Sequence, residues 1–369
     1  MRVFNTVTSR VAICAAALAV MAAGCSPKSS ETSSGGPTAP ATPGASAPAD
    51  ASTPITIGYS DWPGWTAWDI VEQQGFFKKH GVNVKLVWFA DYTASLNAFQ
   101  TGQVDANCQT WSDTMGPLAQ GQQAQAVLIN DNSAGNDAII AKAGINSVKD
   151  LKGKKVATEL GTCDQFLLDL ALAANGMTEK DIQYVNIKVG DCPAAMVNGT
   201  VDACVVWEPN KSSLLSKLPG SKDIYDSKSQ PGMIPDLLVM QKKVIDARPG
   251  DVQKISDAWY DMLSWWKAHP DEAVKIEAKR TESDVKFYQS FITGTRIFSA
   301  PEAEAAFTKS AKPTSLDTSG AAISKFLMDQ KQITKTPDYA AAINPTFVKA
   351  SNAAKLGSEP PYAYTLKVD

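Results

Sequence analysis

Gly102-Gln103-Val104-Asp105-Ala106 is answered further along the chain by Gly199-Thr200-Val201-Asp202-Ala203, and a tryptophan, Trp111 or Trp207, follows each. The likeness extends backwards from both. Residues 55–59 read as a buried strand, which enters the turn Asp61-Trp62-Pro63-Gly64-Trp65 and then a helix over 67–79. A strand over 82–89 ends at Asp91, where a helix to about Thr101 begins. A short strand over 104–108 then runs into Gln109-Thr110-Trp111. The second copy has a strand over 155–159, a helix over 163–175, a strand over 184–189 ending at Asp191, a helix over 194–198 and a strand leading to Trp207. Strands alternating with helices predict a parallel sheet, and two such runs predict two similar α/β lobes. Asp91 and Asp191 fall at matching helix starts, where a carboxylate accepts from free backbone N–H groups and meets the positive end of the dipole.

Short apolar runs at 138–141 and 237–240 are read as the strands that leave the first lobe and return to it, the natural hinge positions. The predicted divisions are 55–141 for the first part of lobe one, 142–235 for lobe two, and 236–369 for the return strand and C-terminal helices. Beyond Asp251 the pattern is helical, with Ile255, Trp259, Met262 and Trp266 on one face, expected to pack on lobe one.

The N-terminus has the order of a secretory leader. Arg2 and Arg10 are followed by an apolar stretch over 11–21, too short to span a bilayer, and then by Ala22-Ala23-Gly24-Cys25. That tetrapeptide resembles the lipobox of bacterial lipoproteins. The resemblance implies removal of residues 1–24 and acylation of Cys25, palmitate included; stable anchoring needs more than one chain. Residues 26–53 are Ser, Thr, Pro, Ala and Gly with almost no large apolar side chain, and are expected to be a flexible tether within a 25–54 segment.

A net charge of −3 without basic runs gives no footprint for nucleic acid. The two histidines, His80 and His269, stand apart, so neither a His-based metal site nor a cofactor is expected. Of the four cysteines beyond the tether, Cys163 and Cys192 follow strand ends in lobe two. A disulfide between them is expected if their Cα atoms lie within about 7 Å, with Cys108 and Cys204 free and buried.

Three stretches, in order, carry a family resemblance: Gly75-Phe76-Phe77 with Gly81-Val82-Asn83-Val84, the run Ser147-Val148-Lys149-Asp150-Leu151-Lys152-Gly153-Lys154-Lys155-Val156, and Asn198-Gly199-Thr200-Val201-Asp202-Ala203. They resemble the nitrate/sulfonate/taurine-type (NMT1/SsuA-like) substrate-binding proteins of ABC importers over about residues 55–300. The resemblance implies an α/β, two-lobed periplasmic-binding-protein (Venus-flytrap) fold with two mostly parallel sheets flanked by helices and a helical C-terminal extension. It also implies a monomer that closes on a small ligand outside the cytoplasm and delivers it to a permease with a cytoplasmic ATPase. The Asp61-Trp62-Pro63-Gly64-Trp65, Asp91-Tyr92-Thr93 and Gly102-Gln103-Val104-Asp105-Ala106 pattern resembles the branch linked to urea- and guanidine-type compounds.

Ligands of open α/β sheets bind at the carboxyl ends of strands. Those ends hold Asp61, Asp91, Asp113, Asp137, Glu159, Asp191, Glu208 and Asp236, and no Lys or Arg. Carboxylates oppose an anion, whereas Trp62, Trp65, Trp111 and Trp207 suit the face of a delocalised cation. The expected ligand is therefore a small nitrogen-rich cation or amide, guanidine-like first and urea-like second. Its expected contacts are Ser60, Asp61, Trp62, Trp65, Thr110, Trp111, Asp113, Glu159, Thr162, Glu208 and Asp236. Trp207 is weighed slightly toward packing. The alternatives are a sulfonate, taurine or nitrate ligand, a solute sensor without transport, and an enzyme on the same scaffold. The last is disfavoured because no basic neighbour activates Cys163.

Overall fold

The computed structural model describes residues 53–363. The leader, Cys25 and the tether up to Ser52 lie outside the described residues. Among those described, no helix is long and apolar enough to cross a membrane.

Eleven strands among the described residues form two sheets. The first contains β1 (Ile55–Tyr59), β2 (Val84–Trp88), β3 (Ala106–Thr110) and β4 (Ala124–Ser133). The second contains β5 (Ala138–Ala141), β6 (Lys155–Thr158), β7 (Gln183–Asn186), β8 (Ala203–Val206) and β9 (Lys222–Asp226). The chain then returns to the first sheet with β10 (Pro235–Gln241) and β11 (Thr295–Ile297). The orders are β11-β4-β10-β3-β1-β2 and β7-β6-β8-β5-β9. The echo in sequence is an echo in topology. β1 is parallel to β2 and β3, as β6 is parallel to β7 and β8. Aspartate performs the same task in both copies: Asp105 Oδ2 accepts from Thr56 N at 2.8 Å, and Asp202 Oδ2 from Lys155 N at 2.9 Å. Each ties the start of one strand to the turn before its neighbour.

Residues 138–141 were expected in lobe one, but β5 pairs antiparallel with β8 and β9 in the second sheet. The crossings therefore fall at 134–137 and 227–234, where Ser133 Oγ and Ser227 Oγ meet at 2.7 Å and Gly135 N donates to Ser227 Oγ. The antiparallel β10 wedges between β3 and β4, with Leu237, Leu238, Val239 and Met240 wholly buried.

The C-terminal helices cover lobe one as the apolar face predicts. In the Pro249–Ala268 helix, Ile255, Trp259, Met262 and Trp266 are buried, and Trp259 lies 4.6 Å from Trp68, ring to ring. The helix expected over 67–79 starts earlier, at Pro63, whose fixed φ suits a first helical position. It stops at Gln73, because Gly75 adopts φ 74° and breaks the run before a short Phe76–Lys79 helix.

Candidate functional site

The turn after β1 builds one wall of the cleft. Trp62 precedes the Pro63–Gln73 helix, and its Nε1 donates to Asp131 Oδ1 at 2.9 Å. Gly64 permits this approach: a Cβ there would stand 1.8 Å from Asp131 Oδ2. Trp65, one turn inside, lies 6.4 Å from Trp62 and 5.1 Å from Tyr92 between ring centroids. From the opposite lobe, Trp207 follows β8 and meets Tyr92 edge-to-face at 5.7 Å. The polar atoms of three of these rings, Trp62, Tyr92 and Trp207, are committed to carboxylates. Tyr92 Oη donates to Asp113 Oδ2 at 2.8 Å, and Trp207 Nε1 to Asp61 Oδ1 at 3.1 Å.

Together Trp62, Trp65, Tyr92 and Trp207 line a small inner pocket, completed by Thr110, Asp137, Cys163, Ile234 and Asp236. A wider outer space shares Tyr92 and Trp207 and adds Asp61, Asp91, Glu159, Lys188 and Asp191. The lobes touch across the cleft in a closed arrangement. Thr93 Oγ1 donates to Glu159 Oε1, Lys188 pairs with Asp91, Cys163 N donates to Asp113 Oδ2 at 3.2 Å, and Asn210 Nδ2 donates to Asp61 Oδ2 at 3.4 Å.

Burial dominates the electrostatics. It lifts Asp61 and Asp113 to about 6, against hydrogen bonds from Trp207 and Tyr92 respectively. It lifts Asp137 to about 7, opposed by the Ser133 hydrogen bond and the Lys211 charge. Asp236 and Asp131 are directly opposite in the β10–β4 pairing, and burial with their mutual proximity raises Asp236 well above the carboxylate range. Two like charges facing each other on adjacent strands are unfavourable, so a proton held between them relieves the repulsion. Asp137 Oδ2 and Asp236 Oδ2 have no hydrogen-bond partner, nor has Trp65 Nε1.

Of the residues expected at the ligand, Trp62, Trp65, Thr110 and Asp236 line the inner pocket, and Asp61 and Glu159 line the outer one. Asp113 orients Tyr92 and receives the Cys163 amide. Thr162 caps the Cys163–Ala174 helix by accepting from Asp164 N at 3.3 Å. Ser60 is fully buried and lines neither space.

Two expectations are corrected. Trp111 was placed at a strand end facing the ligand. It is instead the first residue of the Trp111–Ala119 helix, fully buried, with Nε1 donating to Leu316 O in a C-terminal helix. Glu208 was placed at the ligand, but both its oxygens turn to Ser212, accepting from N at 3.0 Å and from Oγ at 2.8 Å.

Three further readings change. Asp91 caps its helix through Ala94 N, whereas Asp191 makes no capping bond. All four described cysteines are free and buried, so the Cys163–Cys192 bridge is absent. Cys163 lies beside Asp137, while Cys204 Sγ donates toward Cys192 O at 3.7 Å. The cleft is also not wholly without cations, since Lys188 borders its mouth.

Tyr92, Asp137, Cys163 and Ile234 line the pocket without having been expected there, as does Trp207, which was weighed toward packing. Asp91-Tyr92 and Asn136-Asp137 stand at strand ends and carried a signal; Ile234, on a crossing, carried none.

Residues 66–273, more than half of the chain, match the family described as NMT1/THI5 like. A protein of Brucella abortus assigned by name to the binding proteins is 26% identical over 241 residues, covering 63% of this chain and 72% of its own. The taurine-binding periplasmic protein of Escherichia coli is 23% identical over 205 residues, covering 54% and 62%. The crystal structure of the periplasmic aliphatic sulphonate binding protein SsuA from Escherichia coli aligns with TM-score 0.66 at 18% identity, covering 80% of this chain and 98% of that one. A repeated α/β unit, two sheets closing on an aromatic pocket and this match lead to one assignment: the chain belongs to the NMT1/THI5-like family and has its two-lobed periplasmic-binding-protein fold.

Proposed function

We propose that the protein is the solute receptor of an ABC importer, anchored outside the cytoplasm through Cys25, and that it captures a small nitrogen-rich cation or amide, guanidine-like first and urea-like second. The observation that carries the ligand class is the inner pocket itself. Four aromatic residues, Trp62, Trp65, Tyr92 and Trp207, surround it, two buried carboxylate oxygens at Asp137 and Asp236 lack a hydrogen donor, and no basic side chain lines it. A planar guanidinium offers both what is missing. Its face is attracted to aromatic rings, and its N–H groups donate to carboxylates. Urea offers the donors without the charge, and its carbonyl oxygen suits the unpartnered Trp65 Nε1.

Capture is a closure equilibrium, since a ligand contacting both lobes favours the state in which both contacts exist. Trp207 and Cys163 come from the second lobe, Trp62, Trp65 and Tyr92 from the first. The tether would then serve delivery, keeping a receptor that collects solute outside within reach of its permease.

A second reading, a sulfonate- or taurine-type anion, is favoured by the names of the relatives and by Lys188 at the mouth. Quenching of tryptophan fluorescence on titration with guanidinium, urea, taurine, nitrate and ethanesulfonate separates the two. Saturation by guanidinium or urea supports the proposal; saturation by ethanesulfonate with silence from both nitrogen compounds overturns it.

A further inference from the structure

The Cys163–Ala174 helix begins with a buried thiol followed by a buried carboxyl, and among the described residues that carboxyl has no hydrogen-bond partner. Asp164 is fully buried, and neither of its carboxylate oxygens has a hydrogen-bond partner. An ionised carboxylate removed from water with nothing to offset it is strongly unfavourable, so a compensating cation or proton must reside there. Asp137, on the crossing between lobes, leaves Oδ2 unpartnered and places Oδ1 3.9 Å from Cys163 Sγ. One donor atom from each of Asp137, Cys163 and Asp164 lies within 4.8 Å of the other two, all three residues being buried.

We propose that Asp137, Cys163 and Asp164 form a binding site for a divalent cation of borderline softness, of the Zn²⁺ class, on the floor of the cleft. The spacing is close to what such an ion requires. With ordinary bond lengths and a tetrahedral angle, a thiolate and a carboxylate oxygen on one zinc stand about 3.6 Å apart. The observed 3.9 Å needs a shift of a few tenths of an ångström, and the widest separation a shift of about an ångström.

The donor set selects the metal. One thiol and two carboxylates suit zinc, whereas calcium and magnesium take six or more oxygens and no sulfur. Three protein donors leave a fourth position open, the arrangement of sites that also receive water or a ligand atom. Asp137 and Cys163 line the aromatic pocket, so that position belongs to the same space. The thiolate is the form that binds a metal, so uptake of the ion is expected to release the thiol proton.

The test uses full-length protein stripped with chelator and titrated calorimetrically with Zn²⁺, then with Co²⁺ under an absorption spectrum. The expected result is one equivalent bound, with a cobalt–thiolate charge-transfer band. Cys163→Ser, nearly isosteric, is expected to abolish that band and weaken zinc at least tenfold; Asp164→Asn is expected to weaken zinc similarly. Circular dichroism of the stripped variants checks folding. If Asp164→Asn fails to fold, Cys163→Ser decides. The proposal is overturned if stripped protein takes up no saturable zinc, or if uptake is unchanged in Cys163→Ser. Zinc and guanidinium would compete for Asp137, so guanidinium is titrated into stripped protein, where its binding reports on the ligand reading whatever the outcome with zinc.

Discussion

The pH dependence of ligand binding discriminates between a cation and an anion more sharply than any single substitution, because the two readings differ in sign. Burial raises the Asp137 carboxyl to about 7, so at neutral pH it is near half protonated in the empty cleft. A guanidinium docking on Asp137 Oδ2 has to displace that proton, and apparent affinity then varies as the fraction already ionised. Between pH 7.5 and pH 5.5, one competing proton with a pKa of about 7 weakens binding about 25-fold, or roughly 1.9 kcal/mol. A second proton, on the Asp131–Asp236 pair, would steepen the dependence. A sulfonate gains from the same protonation, so its affinity rises toward acid. Urea, uncharged, changes less than guanidinium over this range. The assay is a calorimetric titration at several pH values in buffers of different ionisation enthalpy, which also counts protons released. Guanidinium affinity that is flat or stronger at pH 5.5, or uptake of protons on binding, refutes the argument. The stability side has the matching sign. A folded-state pKa above the unfolded value stabilises the empty protein fully below the unfolded pKa, and that contribution is lost as pH rises through about 7.

Three further outcomes follow from the packing. Trp111→Ala is expected to cost about 3–5 kcal/mol of stability while leaving ligand affinity within a factor of two, since the ring is buried against the C-terminal segment and not in the pocket; thermal melting and titration check both halves. Thr93→Val removes the inter-lobe hydrogen bond to Glu159, and a loss of about 0.5–1.5 kcal/mol is a two- to tenfold weaker complex, expected chiefly in the dissociation rate measured by stopped flow. Gly64→Ala would push Asp131 away and break its bond with Trp62, so a loss of ligand affinity in folded protein is expected, whereas wild-type titration curves would disprove that role.

The lobes were legible because the repeat is written twice in the same residue types, and β1 to β3 and β6 to β8 pair as that repeat implies. The part of the site formed within one turn was legible too. Asp61-Trp62-Pro63-Gly64-Trp65 carries its own geometry, with Pro63 fixing the helix start and Gly64 admitting Asp131. What depended on a distant segment was not. Nothing near Trp111 says that Leu316 will accept its indole proton, and the strand before it runs two residues further than its apolar pattern implied. Glu208 is acidic and follows a strand, yet Ser212, one helical turn ahead, satisfies it locally. Cys163 and Cys192 follow strands on the same sheet, but Cys163 opens a helix at the cleft while Cys192 opens another beside Cys204.

The aromatic and acidic groups of the inner pocket are proposed to hold a nitrogen-rich ligand. A crystal structure grown with guanidinium, at a concentration set by the titration, addresses it most directly. A planar cation is expected among Trp62, Trp65, Tyr92 and Trp207, with nitrogen atoms about 2.7–2.9 Å from Asp137 and Asp236 oxygens. An empty pocket at saturating guanidinium, or a sulfonate bound there in its place, would contradict it.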